Sequence, residues 1–144
     1  MFDGSFRKPI EKAIRPVGNA LRKTGLTPDH LTIVGLLVGV GAAFAIGSGR
    51  LFLGLVLVVL AALPDLLDGA LAKASGAASQ RGAFFDSTVD RVTDALLLGG
   101  VAYYLAGHES PHMAVLPFAV MSASSLISYQ RAKAESLGLD ARGG

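Results

Sequence analysis

The sequence predicts an all-α, polytopic integral membrane protein. Of its 144 residues, 51% are hydrophobic and only 17% are charged, and the mean hydropathy is +0.52. This composition is too apolar for an ordinary soluble domain. Long apolar runs separated by short polar segments provide the second observation, because each run is the length of a transmembrane helix.

Residues 1–26 are predicted to form an amphipathic juxtamembrane segment. Ile10, Ile14, Val17 and Leu21 recur at spacings of three and four, which is typical of one face of a helix. The other positions hold basic residues, namely Arg7, Lys8, Lys12, Arg15, Arg22 and Lys23. Such a helix suits the surface of an anionic membrane leaflet, although its polar face would equally suit solvent while the apolar face packs on the protein.

Residues 27–144 are predicted to form one transmembrane domain. Its expected spans are residues 31–48, 51–74, 83–106 and 113–129, followed by a polar extension. Before the first span, Thr27 or Asp29 could cap the helix, and Pro28 suits its first turn.

The positive charges predict the orientation. With the N-terminus in the cytoplasm, every one of the 13 lysines and arginines except Arg50 falls on the cytoplasmic side. We therefore expect a multi-pass protein of the plasma membrane whose aspartates at positions 65 to 90 face the cytoplasm.

Other features exclude several classes of protein. The chain has no cysteine, so it has no disulfide framework and no thiolate nucleophile or metal ligand. A formal net charge of +2 is too small to indicate nucleic-acid binding. The basic N-terminal region is too long for a signal peptide, and no short apolar run with a cleavage site follows it.

Four aspartates are the main chemical feature of the chain. Asp65 and Asp68 are three residues apart, and Asp86 and Asp90 are four apart, so each pair shares one face of a helix. A small, glycine-rich connection at residues 74–82 separates the pairs and suits a tight turn. A helical hairpin would let the four carboxylates converge, and converging oxygen ligands are what Mg²⁺, Mn²⁺ or Ca²⁺ prefer.

The pattern D-x2-D-G-x2-A-K-x8-G-x3-D-x3-D resembles the signature of the CDP-alcohol phosphotransferases, a family of integral membrane enzymes. Lys73 is the departure, because the family has arginine there. Lysine keeps the positive charge but cannot form the bidentate hydrogen bonds of a guanidinium. We therefore expect a less well oriented contact with a phosphate, without loss of function. The resemblance implies six transmembrane helices where this sequence supports four. We expect the chain to be truncated at its C-terminus, and the alternative is an unusually short member of the family.

The resemblance implies metal-dependent transfer of a phosphatidyl group from CDP-diacylglycerol to an alcohol, with release of CMP. It implies that Asp65, Asp68, Asp86 and Asp90 hold two Mg²⁺ or Mn²⁺ ions, and that Asp90 is the catalytic general base. The residues implied to bind CDP-diacylglycerol are Asp29, His30, Leu31, Thr32, Gly69, Lys73 and Ser79.

The end of the fourth span, ISYQRAKAESLGL, resembles the actinobacterial phosphatidylinositol phosphate synthases, and the likeness covers nearly the whole chain. It implies that the acceptor is myo-inositol phosphate, with Arg131 and Lys133 binding the acceptor phosphate. It also implies a homodimer, for which a glycine face at Gly35 and Gly39 of the first span is compatible.

Several alternatives remain open from the sequence. The acceptor could be glycerol 3-phosphate, as in a phosphatidylglycerophosphate synthase, or the acidic hairpin could belong to a divalent-metal transporter. Arg131 and Lys133 would also suit a positive-inside anchor. Asp94, one turn beyond Asp90, could support a metal ligand or pair with Arg91.

Overall fold

The computed structural model of the chain describes the backbone of residues 25, 27–75 and 79–139, and the same side chains except those of residues 64–75. These residues contain helices and no strand, which confirms the predicted all-α class. The elements are α1 (Pro28–Gly47), α2 (Leu51–Ser75), α3 (Gln80–His108), a 3₁₀ helix (Pro111–Ala114) and α4 (Val115–Ser136). The predicted amphipathic segment, residues 1–26, lies outside the described residues apart from Gly25.

Thr27 caps α1, as one of the two predicted candidates. Its hydroxyl accepts a hydrogen bond from the His30 backbone N–H at 3.3 Å, and its own backbone N–H donates to His30 Nδ1 at 3.2 Å. This reciprocal arrangement is a capping box, which satisfies two N–H groups that a helix start otherwise leaves unpaired. The helix therefore begins at Pro28, three residues before the predicted span.

Helix α1 packs against both α2 and α3, and α3 packs against α4. Small residues allow α1 to pack closely: Ala42 and Ala45 of α1 are 0% and 6% exposed. At Gly100 of α3, an added Cβ would lie 2.5 Å from the carbonyl oxygen of Ala43. The two backbones thus touch at this point, as small residues allow in membrane helix pairs.

The predicted glycine face of α1 is used within the chain. An added Cβ at Gly39 would come within 2.9 Å of Thr93 Cγ2 on α3, and Gly35 lines a cavity between the helices. Gly39 therefore packs against α3 inside the protomer, and the role of this face in a homodimer stays a prediction.

Ser79, which is predicted to lie in the connecting loop, is the N-cap residue of α3. Its hydroxyl accepts from the Gly82 backbone N–H at 3.0 Å. At the other end of α3, His108 stacks on Tyr104 and its Nε2 would lie 3.4 Å from a Cβ on Gly49, in the turn between α1 and α2. The Gly49 turn and the end of α3 therefore share one end of the molecule.

Helix α4 continues to Ser136, seven residues beyond the predicted end of the fourth span at residue 129. The added turns contain Ala132 and Ala134, which favour helix, and Arg131 pairs with Glu135 one turn later. The polar extension is therefore helical as far as Ser136, and the backbone turns away at Gly138, whose φ is +73°.

Two helical stretches in the described part of the chain are long and apolar enough to cross a membrane: Pro28–Gly47 and Pro111–Ser136. Leu51–Leu63 of α2 forms a shorter apolar helix. Helix α3 carries more charge, because Arg81, Asp86, Asp90, Arg91 and Asp94 lie in its first half. The arrangement of four spans therefore stays a prediction.

Candidate metal and substrate site

A cavity of about 170 Å³ lies between α1, α2 and α3. Its wall from α1 and α2 is mostly small or apolar, formed by Thr32, Gly35, Leu36, Val58, Ala61 and Ala62. The wall from α3 carries three carboxylates, Asp86, Asp90 and Asp94. Asp86 and Asp90, four residues apart on α3, both line this cavity, and Asp94 joins them one turn later.

Asp86 has an unsatisfied oxygen in this cavity. Its Oδ1 is buried and has no hydrogen-bond partner. Leaving a buried carboxylate oxygen without a donor is costly, and a bound cation would offset that cost. An oxygen ligand of this kind suits Mg²⁺ or Mn²⁺.

The other aspartate pair of the predicted ligand set belongs to α2, the helix that contributes Val58, Ala61 and Ala62 to the cavity wall. Asp65 and Asp68 lie on the last turns of the α2 backbone with Gly69 and Lys73, but their side chains fall outside the described residues. Ala61 lines the cavity, and positions 65 and 68 follow it by four and seven residues, which is the same helix face.

A site of four carboxylates stays a prediction, because only one of the two pairs has described side chains. Within the described part of the chain, no three histidine, aspartate or glutamate side chains are arranged to hold a metal ion.

Arg91 forms a polar link between α3 and α4 beside Asp90. Its Nη1 lies 3.2 Å from Asp94 Oδ2, and the same nitrogen donates to the hydroxyls of Ser124 and Ser128 at 3.2 Å each. The pairing of Asp94 with Arg91 was one of two predicted roles. The serine contacts were not predicted because Ser124 and Ser128 lie 33 and 37 residues away in sequence. The four serines between residues 122 and 128 of the fourth span were a possible signal.

The predicted donor-binding residues at the start of α1 differ in their surroundings. Leu31 and Thr32 are buried, and Thr32 also lines the cavity while its hydroxyl donates to the Pro28 carbonyl at 3.2 Å. His30 is exposed, and its Nδ1 already accepts from the Thr27 backbone. Thr32 is therefore the member of this group that the structure brings to the carboxylates.

The predicted acceptor-binding residues lie on the exposed last turns of α4, outside the cavity wall. Arg131 Nε contacts Glu135 Oε1 at 3.3 Å, with both side chains more than half exposed, and Lys133 is exposed as well. A short connection makes α4 antiparallel to α3, so Arg131, three residues beyond Ser128, extends toward the end of α3 that carries Asp86.

Comparison with known sequences matches the family model of the CDP-alcohol phosphatidyltransferases over residues 25–138. The phosphatidylinositol phosphate synthase of Mycobacteroides abscessus is 40% identical over 140 residues, which are 96% of this chain and 64% of that protein. The synthase of Mycolicibacterium smegmatis is 38% identical over 140 residues, with shares of 96% and 63%. The chain thus spans just under two thirds of the length of these relatives.

Solved structures give the same likeness. The phosphatidylinositol phosphate synthase of Mycobacterium tuberculosis with bound CDP-DAG has a TM-score of 0.83 and 34% identity, covering 92% of this chain and 68% of that one. The same enzyme in complex with manganese and citrate has a TM-score of 0.82 and 34% identity, with shares of 91% and 64%.

Proposed function

Because the chain belongs to the CDP-alcohol phosphatidyltransferase family, we propose that it transfers the phosphatidyl group of CDP-diacylglycerol to myo-inositol phosphate. The products are phosphatidylinositol phosphate and CMP. The names of the relatives support this acceptor, and the bound CDP-DAG of a solved relative supports this donor.

The observation that carries the proposal is the cavity shared by Asp86 and Asp90, in which a buried Asp86 oxygen lacks a hydrogen-bond donor. In the proposed site, two Mg²⁺ or Mn²⁺ ions are held by Asp65, Asp68, Asp86 and Asp90. When bound, such ions stabilise the negative charge of the donor's phosphates and of the leaving CMP. The manganese complex of a solved relative supports a divalent ion.

Asp90 is the proposed general base. Its carboxylate takes the proton of the acceptor hydroxyl as that oxygen attacks the lipid-side phosphorus, and the bond to CMP breaks. Helix α3 supports this role by fixing Asp90 in the cavity next to Asp86. The proposed donor contacts are Asp29, His30, Leu31, Thr32, Gly69, Lys73 and Ser79.

Arg131 and Lys133 are the proposed partners of the acceptor phosphate, because both are exposed cations at the end of α4. The enzyme would sit in the plasma membrane as a multi-pass homodimer with its active site in the cytoplasm. The distribution of lysine and arginine, with Arg50 alone on the outer side, supports this orientation.

The test is CMP release from CDP-diacylglycerol in the presence of Mg²⁺ or Mn²⁺. Inositol phosphate, free inositol and glycerol 3-phosphate are offered in turn, and Asp90→Asn serves as the inactive control. We expect release only with inositol phosphate, reduced about 10²- to 10⁴-fold in the Asp90 variant, as for loss of a general base.

The other outcomes separate the parts of the proposal. Release with glycerol 3-phosphate would keep the reaction and replace the acceptor. Full activity in Asp90→Asn would remove Asp90 from the role of base. No release with any acceptor would reject the proposed function.

A further inference from the structure

One nitrogen of Arg91 serves two helices. Nη1 lies 3.2 Å from an oxygen of Asp94 on α3 and from the hydroxyls of Ser124 and Ser128 on α4. A guanidinium NH₂ group carries two protons, so the three oxygens share them. Ser124 and Ser128 are one helical turn apart, so Arg91 is hydrogen-bonded to two successive turns of α4.

Within the part of the chain that the structure describes, this polar link joins α3 to a helix that buries few of its side chains. Pro117 is the buried residue of α4, whose other side chains are half-buried or exposed. The side chains of Arg91 and Asp94 are only 41% and 42% exposed, so the link is partly shielded from water. Directed hydrogen bonds fix a helix at one register, whereas a weakly buried apolar face permits sliding.

The link also lies between two parts of the proposed site. Arg91 follows Asp90, the proposed base, directly in α3. Ser128 precedes Arg131, a proposed acceptor-binding residue, by three positions and shares its helix face. The register of α4 against α3 therefore determines how far the acceptor phosphate lies from Asp90.

We propose that Arg91 is a positioning residue that fixes α4 against α3 through Ser124 and Ser128, and so places the acceptor alcohol at Asp90. This inference rests on the proposed function. Arg91 acts through the two serines and does not touch the reacting atoms. Its loss should therefore weaken use of the acceptor more than use of CDP-diacylglycerol.

The first test is steady-state kinetics of Arg91→Gln. We expect the KM for inositol phosphate to rise about three- to tenfold, the range for loss of one coupled interaction, while the KM for CDP-diacylglycerol stays near that of the wild type. Arg91→Lys should recover most of the loss, because an ammonium carries three protons on one nitrogen. Arg50→Gln, an exposed arginine at the opposite end, is the matched control and should change neither KM.

A double-mutant cycle tests the route of the effect. The Ser124→Ala/Ser128→Ala variant should raise the acceptor KM, and adding Arg91→Gln to it should cause little further change. Independent effects that multiply would mean that Arg91 does not act through the serines, and would overturn the inference.

A distance measurement tests the register without any activity. The chain has no cysteine, so spin labels can be attached at Ser87→Cys on α3 and Gln130→Cys on α4, both exposed positions. We expect one narrow distance distribution in the wild type and Arg91→Lys, and a broadened or shifted one in Arg91→Gln. An unchanged distribution in Arg91→Gln would overturn the inference.

The kinetics and the distance measurement together separate this inference from the proposed function. A protein that releases no CMP but changes its label distance in Arg91→Gln would keep the helix link and reject the phosphatidyl transfer. A raised acceptor KM with an unchanged distance would instead make Arg91 a direct substrate contact.

Discussion

Asp86 and Asp94 line the same cavity but differ in the partners of their carboxylate oxygens. Asp94 has the guanidinium of Arg91 at 3.2 Å, whereas Asp86 Oδ1 is buried with no hydrogen-bond partner. A buried, uncompensated carboxylate oxygen destabilises the protein unless a cation binds it. The stability of the protein should therefore depend on divalent metal, with Asp86 contributing to that dependence.

Asp86→Asn should reverse the order of stability with and without metal. In EDTA we expect the variant to be as stable as the wild type or up to about 1–3 kcal/mol more stable, because a carboxylate with one buried, unpaired oxygen has been replaced by a neutral amide. With Mn²⁺ the wild type should gain melting temperature and the variant should gain little. Thermal unfolding in detergent measures both, with Glu109→Gln, an exposed carboxylate at the far end of α3, as control. Equal stabilisation of both proteins by Mn²⁺ would contradict the role of Asp86.

Part of the site follows from residue spacing alone. Asp86 and Asp90 could be assigned to one face because a helix repeats every 3.6 residues, and the structure places both at the cavity. The contacts of Arg91 with Ser124 and Ser128 could not be assigned in the same way. They depend on how two helices align across 33 and 37 residues, which local periodicity does not determine.

Two neighbouring glycines of α3 differ in the space that is available for a side chain. An added Cβ at Gly100 would lie 2.5 Å from the Ala43 carbonyl oxygen and 3.1 Å from its carbonyl carbon, whereas one at Gly99 would have no atom within 4 Å. Backbone atoms cannot turn aside as a flexible side chain can. The contact between α1 and α3 therefore requires the absence of a side chain at Gly100.

Gly100→Ala should destabilise the protein by about 1–3 kcal/mol, the usual cost of overpacking. Gly99→Ala is the matched control and should be neutral or stabilising by up to about 1 kcal/mol, because alanine favours helix over glycine. Thermal or denaturant unfolding compares the two. Equal stability of both variants would show that α1 and α3 do not touch at this glycine.

The cap of α3 allows stability and substrate binding to be separated at Ser79. Ser79→Ala should cost about 1 kcal/mol of stability because the bond to the Gly82 N–H is lost, and Ser79→Asp should retain the cap. If Ser79 also contacts CDP-diacylglycerol, the KM for that donor should rise in both variants. Ser110→Ala is the control for stability, since Ser110 begins the 3₁₀ helix without a side-chain capping bond.

Helix positions were predictable where apolar runs end at turn residues. The bounds of α1 to α3 fall within three residues of the predicted spans, because Thr27, Gly49 and Ser79 mark the ends chemically. The end of α4 was not predicted, since Tyr129 to Ser136 is polar and its helix depends on local propensity and the Arg131–Glu135 pair. Hydrophobic patterning detects burial in membrane or core, and it does not detect a helix that extends into solvent.

On the scale of the whole molecule, the ends of the helices fall into two groups. The Ser48–Arg50 turn lies near His108, and the capped starts of α1 and α3 lie at the other end with the cavity. Arg50 lies in the first of these groups, and the distribution of lysine and arginine predicts that this end of the molecule faces outward. In the proposed orientation, the cavity opens toward the cytoplasm.

Cysteine labelling in intact cells tests this orientation. Ser48→Cys and Ser136→Cys place single thiols at exposed positions in a chain that has no cysteine of its own. A membrane-impermeant maleimide should label residue 48 directly and residue 136 only after permeabilisation. The reverse pattern would place the carboxylates outside the cell and contradict the cytoplasmic site.

The contact of Gly100 with the Ala43 backbone also restricts how this sequence can vary among related proteins. Any residue other than glycine at Gly100 requires α1 to move away from α3, and with it the wall of the cavity that Thr32 and Gly35 form. We therefore expect glycine to be retained at Gly100 during evolution, while its neighbour Gly99, with open space beside it, exchanges freely for alanine and other helix-forming residues.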